Sequence, residues 1–251
     1  MKQIVKVLCA GVLFLGLGAA TQAQESGLRH SIFLNGNIPT GDFGSRASIV
    51  AHPTFTPTAA YSTGVPLTYE QIGKDASMGF GLGYRASYAF PIGTGFVSPF
   101  AGIDILWNTI AGEWSDKYAN AHYSTPTYFN IPILAGINYT YEEVWDNITP
   151  FGEFGVGTDF LWITAEGDSE NDNAYFAYKP TFAFSWMIGA GVYFGKYVSA
   201  GLYYYGMGKH TIDYTDGTIE DNVNAATQVS TETVRQQRTV GSLMLRVGFH
   251  F

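Results

Sequence analysis

From Ala76 to Phe90 the chain reads ASMGFGLGYRASYAF, and its large apolar residues fall on every second position. In an extended strand Met78, Phe80, Leu82, Tyr84, Ala86, Tyr88 and Phe90 share one face. Gly79, Gly81, Gly83, Arg85, Ser87 and Ala89 share the other. A strand of a soluble protein turns an apolar face to the core and a charged face to water. Here the face opposite the aromatic row carries glycine and other small residues with one charge. That combination suits a sheet whose apolar side looks out and whose small-residue side looks into a crowded interior.

The pattern recurs. From Tyr128 to Tyr141, residues Phe129, Ile131, Ile133, Ala135, Ile137, Tyr139 and Tyr141 oppose Tyr128, Asn130, Pro132, Leu134, Gly136, Asn138 and Thr140. From Thr181 to Phe194, residues Phe182, Phe184, Trp186, Ile188, Ala190, Val192 and Phe194 oppose a row that includes Ser185, Gly189 and Gly191. Leu28–Ile38, Phe96–Ile110, Ile148–Ile163, Val198–Lys209 and Arg235–Phe251 alternate less cleanly, giving eight strands in all. They are long beside the usual strand of about 5–6 residues, and a tilted strand crosses a bilayer in about 9–11.

The connections alternate too. Pro91–Gly95, Glu142–Asn147 and Gly195–Tyr197 are short, whereas Pro39–Asp75, Ala111–Thr127, Thr164–Pro180 and His210–Val234 are long and polar. The expected fold is an all-β, closed, up-and-down antiparallel transmembrane barrel of eight strands, tight turns in the periplasm and long loops outside. A hairpin hidden in the first loop would raise the count to ten. The competing soluble barrel or sandwich needs Lys and Glu on its outer faces, yet only five lysines follow Ala23.

Composition removes other classes. With 17 Tyr, 18 Phe and 5 Trp, the chain has too much aromatic surface to stay disordered, and a net charge of −8 suits no nucleic-acid partner. Residues 1–23 read as a signal peptide. Lys2 and Lys6 precede the apolar run Val7–Leu17, and Thr21 and Ala23 stand at −3 and −1 of a cut. That leaves residues 24–251 as the barrel domain. Cys9, the single cysteine, lies inside the apolar run, so neither lipidation nor a disulfide is expected.

Lipid tolerates no unpaired strand edge, so the first and last strands must meet. Gly79/Gly81/Gly83, Gly152/Gly155/Gly157 and Gly189/Gly191 allow the curvature that closure needs. Trp107, Trp145, Trp162, Tyr139, Tyr141 and Phe251 fall near strand ends, where interfacial aromatic girdles lie. Arg29, Arg85, Asp104, Glu153, Asp159 and Arg246 lie within strands on the face opposite the apolar rows. Facing lipid, an arginine costs about 2–4 kcal/mol at mid-depth. Facing inward, three basic and three acidic groups can pair, either as a plug or as the lining of a pore.

Three stretches carry a resemblance. Val240 to Phe251 sets Leu243, Leu245, Val247, Phe249 and Phe251 on one face and ends on an aromatic; FLNGNIPTGDF covers Phe33–Phe43, and PFGEFGVG covers Pro150–Gly157. Together they resemble the small bacterial outer-membrane β-barrel family of the OmpA, OmpX and OmpW kind, over residues 28–251. The resemblance implies a monomeric eight-stranded barrel in a Gram-negative outer membrane, whose last strand is recognised by the barrel-assembly machinery. Roles in that family run from envelope integrity and adhesion to defence and passage of small apolar solutes. A carboxyl-terminal peptidoglycan-binding domain, carried by larger members, is not expected.

Chemistry is thinly marked. Of five histidines, His52 and His122 fall in outer loops, and His30 and His250 near the periplasmic end. His210, beside Lys209 at the outer rim, is the best catalytic candidate with Asp213 and Ser124, and otherwise faces head groups or acidic loop residues. A working relay would put His210 within hydrogen-bond reach of an acid and a hydroxyl. No Gly-x-Ser-x-Gly elbow occurs. Glu166, Asp168, Glu170 and Asp172 alternate along a loop that lacks the length and closing Glu of an EF-hand. No catalytic residue, metal ligand or cofactor is therefore assigned. The expected role is structural or surface-interactive, with lipopolysaccharide and an extracellular ligand as partners. A small-solute transport barrel and a lipid-modifying enzyme are the alternatives.

Overall fold

The computed structural model describes residues 27–45, 76–110, 126–141, 147–164, 166–167, 175–216 and 233–251. Eight long strands form the barrel: β1 (Gly27–Gly41), β2 (Gly79–Ile92), β3 (Gly95–Thr109), β4 (Thr127–Tyr141), β5 (Ile148–Ile163), β8 (Thr181–Phe194), β9 (Val198–Asp216) and β10 (Thr233–His250). Two short strands, β6 (Glu166–Gly167) and β7 (Tyr175–Tyr178), lie between β5 and β8 in sequence. Every pairing is antiparallel, and each long strand pairs with its sequence neighbour among the long strands. β10 pairs with both β9 and β1, so no edge remains along the spanning part of the sheet.

The seam runs from Ser31↔His250 to Gly41↔Val240, and beyond it His30 and Phe251 exchange backbone hydrogen bonds of 2.9 Å in each direction. The three short connections share one end of the cylinder. Each contains a residue with positive φ, Gly93 (55°), Asn147 (64°) and Gly195 (62°), as a sharp reversal requires. By the rule for such barrels that end faces the periplasm.

The period-two rows fall as the sheet demands. Phe80, Leu82, Ile133, Ile188 and Leu245 all point outward, with Phe80 59 % and Leu245 58 % exposed. The inner face buries Phe100, Leu106, Leu134, Met187, Tyr203, Tyr205 and Met244 in one continuous cluster. Small residues make room for these rings. A Cβ at Gly189 would enter the Tyr203 ring, and one at Gly136 or Gly155 would meet Phe100. Eight strands enclose space that side chains just fill.

Most boundaries fall within three residues of expectation, and the large difference is at the end of β9. β9 continues past the rim from the expected end at Lys209 to Asp216, through a stretch whose polar alternation reads as loop once the lipid face ends, and pairs there with the first residues of β10, which begins at Thr233, two residues before the expected Arg235. On this extension β7 takes the place of β8 beside β9, and β6 pairs with β7. The added strands therefore arise in the third long connection and leave the barrel count at eight. Residues 46–75 of the first long connection lie outside the described residues, as does the signal segment.

Candidate functional site in the barrel lumen

The lumen is crossed by ion pairs that strand register alone does not reveal. Asp104 on β3 accepts from Arg246 Nη2 at 2.7 Å through Oδ1 and from the Tyr205 hydroxyl at 2.9 Å through Oδ2. Asn35 joins from β1: its Nδ2 donates to Asp104 Oδ1 at 3.1 Å and its Oδ1 accepts from Arg246 Nε at 2.8 Å. Four strands thus converge on one buried pair. A second bridge links Arg85 on β2 to Glu153 Oε2 on β5, which Asn138 also reaches at 3.1 Å. Buried ions persist only when paired and fully hydrogen-bonded, and these largely are.

The two guanidiniums also share an aromatic ring. Arg246 Cζ lies 4.5 Å and Arg85 Cζ 5.0 Å from the centroid of Phe33, while Arg85 sits 3.9 Å over Phe100 and Arg246 4.7 Å over Tyr203. Such faces stabilise a desolvated cation without adding a second carboxylate.

Asp159, the third acid, meets a histidine. His210 Nε2 lies 3.0 Å from Asp159 Oδ2 and 2.9 Å from the Met207 carbonyl, and Nδ1 lies 2.7 Å from Thr181 Oγ1. His210 is fully buried, not at the outer surface where strict alternation along β9 puts it. The cause is a bulge. Gly208 has φ 78°, and the β9–β10 register shifts between Thr239 and Gly241. The extra residue turns Lys209 out and His210 in. The acid and hydroxyl nearest His210 are thus Asp159, an ion-pair contact whose oxygens accept no hydrogen bond, and Thr181, not Asp213 and Ser124. Asp213 pairs with Arg235, Nε to Oδ1 at 2.8 Å, and Ser124 lies outside the described residues.

Arg29 stands half-buried toward the periplasmic mouth, where it lines both a groove at the rim and a recess beside Arg85 and Glu153. His250 bridges Ser31 Oγ at 2.7 Å and Ser199 Oγ at 2.8 Å, and His30 Nδ1 meets the Tyr84 hydroxyl at 2.6 Å. Leu243, Leu245 and Phe251 of the last strand are exposed to the outside, Val247 and Phe249 half so. His52, His122, Trp145 and residues 168–172 of the acidic loop lie outside the described residues. No group of three His, Cys, Asp or Glu side chains able to hold a metal occurs among the described residues. Asn35, Phe33, Tyr205 and Thr181 were not singled out from sequence; their only mark is an inward position on an alternating strand.

A closed antiparallel cylinder with an apolar outer belt and its ions turned inward is a membrane-spanning β-barrel of the outer-membrane type. Outward aromatics fall at both ends of the belt. The pairs Phe80–Trp107 (ring centroids 4.9 Å apart) and Phe129–Trp162 (5.2 Å) lie toward the outer rim, with Tyr88, Phe90, Tyr139 and Tyr141 toward the periplasm. No family model and no curated protein matches the chain. Solved structures do. Neisserial surface protein A matches at 11% identity and a TM-score of 0.43, covering 91% of this chain and 98% of that one. Ail, the attachment invasion locus protein of Yersinia pestis, matches at 10% and 0.41, covering 91% and 100%. The outer membrane protein OprG of Pseudomonas aeruginosa matches at 9% and 0.44, covering 91% and 98%. The class assignment itself rests on strand order and on the two faces of the sheet.

Proposed function

We propose that the protein is a non-conducting outer-membrane barrel with a structural or surface-interaction role. The observation that carries this reading is the pair of bridges across the lumen, Arg246–Asp104 with Tyr205 and Arg85–Glu153 with Asn138. Each joins strands on separate parts of the wall, and the inward rings of Phe100, Tyr203 and Tyr205 fill the space between. An interior fixed in this way resists hydration, and the work is left to the outer surface. Lipopolysaccharide around the belt, a ligand at the outer loops and the assembly machinery during insertion are the proposed partners.

The same reading takes Thr181–His210–Asp159 as a structural tie. His210 is fully buried, and its Nε2 is committed to the Met207 carbonyl, which only an N–H can satisfy. Planar bilayers test the proposal: the refolded protein leaves the membrane silent at about 1 M salt, where the Debye length is about 3 Å and fixed charges in an open lumen would be too screened to hold ions back. Stepwise conductance from the folded species overturns it.

A further inference from the structure

At the periplasmic rim an open groove of about 200 Å³ lies between the start of β1, the β8–β9 turn and the last two residues. Arg29 and Lys196 line it together with His250. Leu28, Tyr197 and Phe251 line its lipid side, and all three are exposed. Arg29 and His250 also line a smaller recess on the inner side of the wall, next to the groove. The recess has room for about 10 Å³, one water-sized group.

That recess ends on atoms without partners. Glu153 receives Arg85 and Asn138 on Oε2, while its Oε1 has no hydrogen-bond partner; Ser98 Oγ, on the same wall, has none either. Both side chains are more than nine-tenths buried. A buried carboxylate oxygen left without a donor is costly, and an occupant bringing N–H groups removes that cost. The rim groove thus carries Arg29 and Lys196 and an apolar flank on the membrane side, and the recess that shares Arg29 with it holds the open Glu153 Oε1 beside the Arg85 that already pairs with Oε2.

We propose that this groove binds the phosphoethanolamine headgroup of an inner-leaflet lipid. The phosphate lies on Arg29 and Lys196, the ammonium points toward Glu153 Oε1, and the acyl chains run down Leu28 and Phe251. A primary ammonium matches the recess in size and donates charge-assisted hydrogen bonds to a carboxylate. A trimethylammonium does neither, because it has no N–H and exceeds a water in bulk. The inference rests on the chain being a membrane-spanning barrel with this end in the periplasm.

Native mass spectrometry of the full chain, refolded in micelles doped with chain-matched lipids, tests it. Phosphatidylethanolamine is retained about tenfold over phosphatidylcholine, the ratio expected of one charge-assisted hydrogen bond. The Arg29→Gln, Lys196→Gln double variant, outside the crossing pairs, loses that retention and keeps the folded, heat-modifiable mobility. Equal retention of the two lipids overturns the proposal, as does retention of phosphatidylglycerol equal to phosphatidylethanolamine. Displacement by millimolar soluble phosphoethanolamine overturns the lipid as source. Failure to fold into the micelle would count instead against the barrel reading.

Discussion

Arg246 Nη2, on the strand that closes the barrel, lies 2.7 Å from Asp104 Oδ1, although β1 and β2 stand between their strands in the sheet. The pair therefore ties the seam to the far side of the wall. Asp104→Ala leaves a buried guanidinium with only neutral partners and is expected to cost about 3–5 kcal/mol. Asp104→Leu combined with Arg246→Met removes both charges and recovers most of that loss. Reversible urea unfolding in lipid, followed by Trp fluorescence, gives both values. A single variant as stable as the parent would show that the bridge contributes nothing.

The outward belt makes a depth-dependent prediction. Leu82 lies mid-strand on β2 and Leu28 near the periplasmic end of β1, and both are exposed. Leu82→Arg is expected to cost about 2–4 kcal/mol and Leu28→Arg no more than about 1. The same unfolding assay measures the difference. Equal costs would place the bilayer elsewhere on the cylinder.

Gly208 holds the bulge that brings His210 inward. Its φ of 78° penalises any side chain, and a Cβ there would press on the Phe184 carbonyl. Gly208→Ala is expected to cost at least about 1–2 kcal/mol, the ordinary penalty of a left-handed backbone. It should also weaken the His210 contacts, seen as a change in the His210 imidazole NMR shifts.

The extension beyond the rim carries the pH-sensitive contact. Asp213 sits at the surface beside Arg235, whose hydrogen bonds hold the carboxyl below the usual carboxylate range. A folded-state value below the unfolded one means that the stabilisation is complete above the ordinary carboxylate value of about 3.9. It fades as pH falls through the lower, folded-state value. Amide hydrogen exchange at Thr211 and Arg235, taken relative to the intrinsic rate at each pH, should therefore quicken as pH falls from about 4 to about 2 in the parent. In Asp213→Asn it should already be fast at the upper end. Parent exchange that ignores this interval would dissociate the extension from the ion pair.

How far the sequence alone carries depends on the length over which a rule acts. Alternation acts between adjacent residues, so the rows through Phe80, Ile133 and Ile188 and the inward position of Arg85, Asp104 and Glu153 follow from it directly. Partner choice across the lumen depends on the stagger of eight strands, which no local pattern encodes. Hence Asp104 was readable as inward but not as the partner of Arg246, Asn35 and Tyr205. His210 fails for a different reason. A single inserted residue at Gly208 reverses the parity of everything after it, and glycine inside a glycine-rich strand gives no warning. The overrun of β9 was hidden because Thr211, Asp213 and Thr215 have no lipid to face.

Closure of the cylinder through Ser31↔His250 and the reciprocal bonds of His30 with Phe251 joins the first of the eight long strands to the eighth. β1 cannot acquire its second neighbour, and the cylinder cannot close, until β10 has also crossed the inner membrane. Maturation is thus postponed to a single late event, and throughout transit the greasy rows must be shielded by something other than their own sheet. A carrier that keeps the extended polymer from clumping is as much a requirement of this architecture as the bilayer that finally receives it.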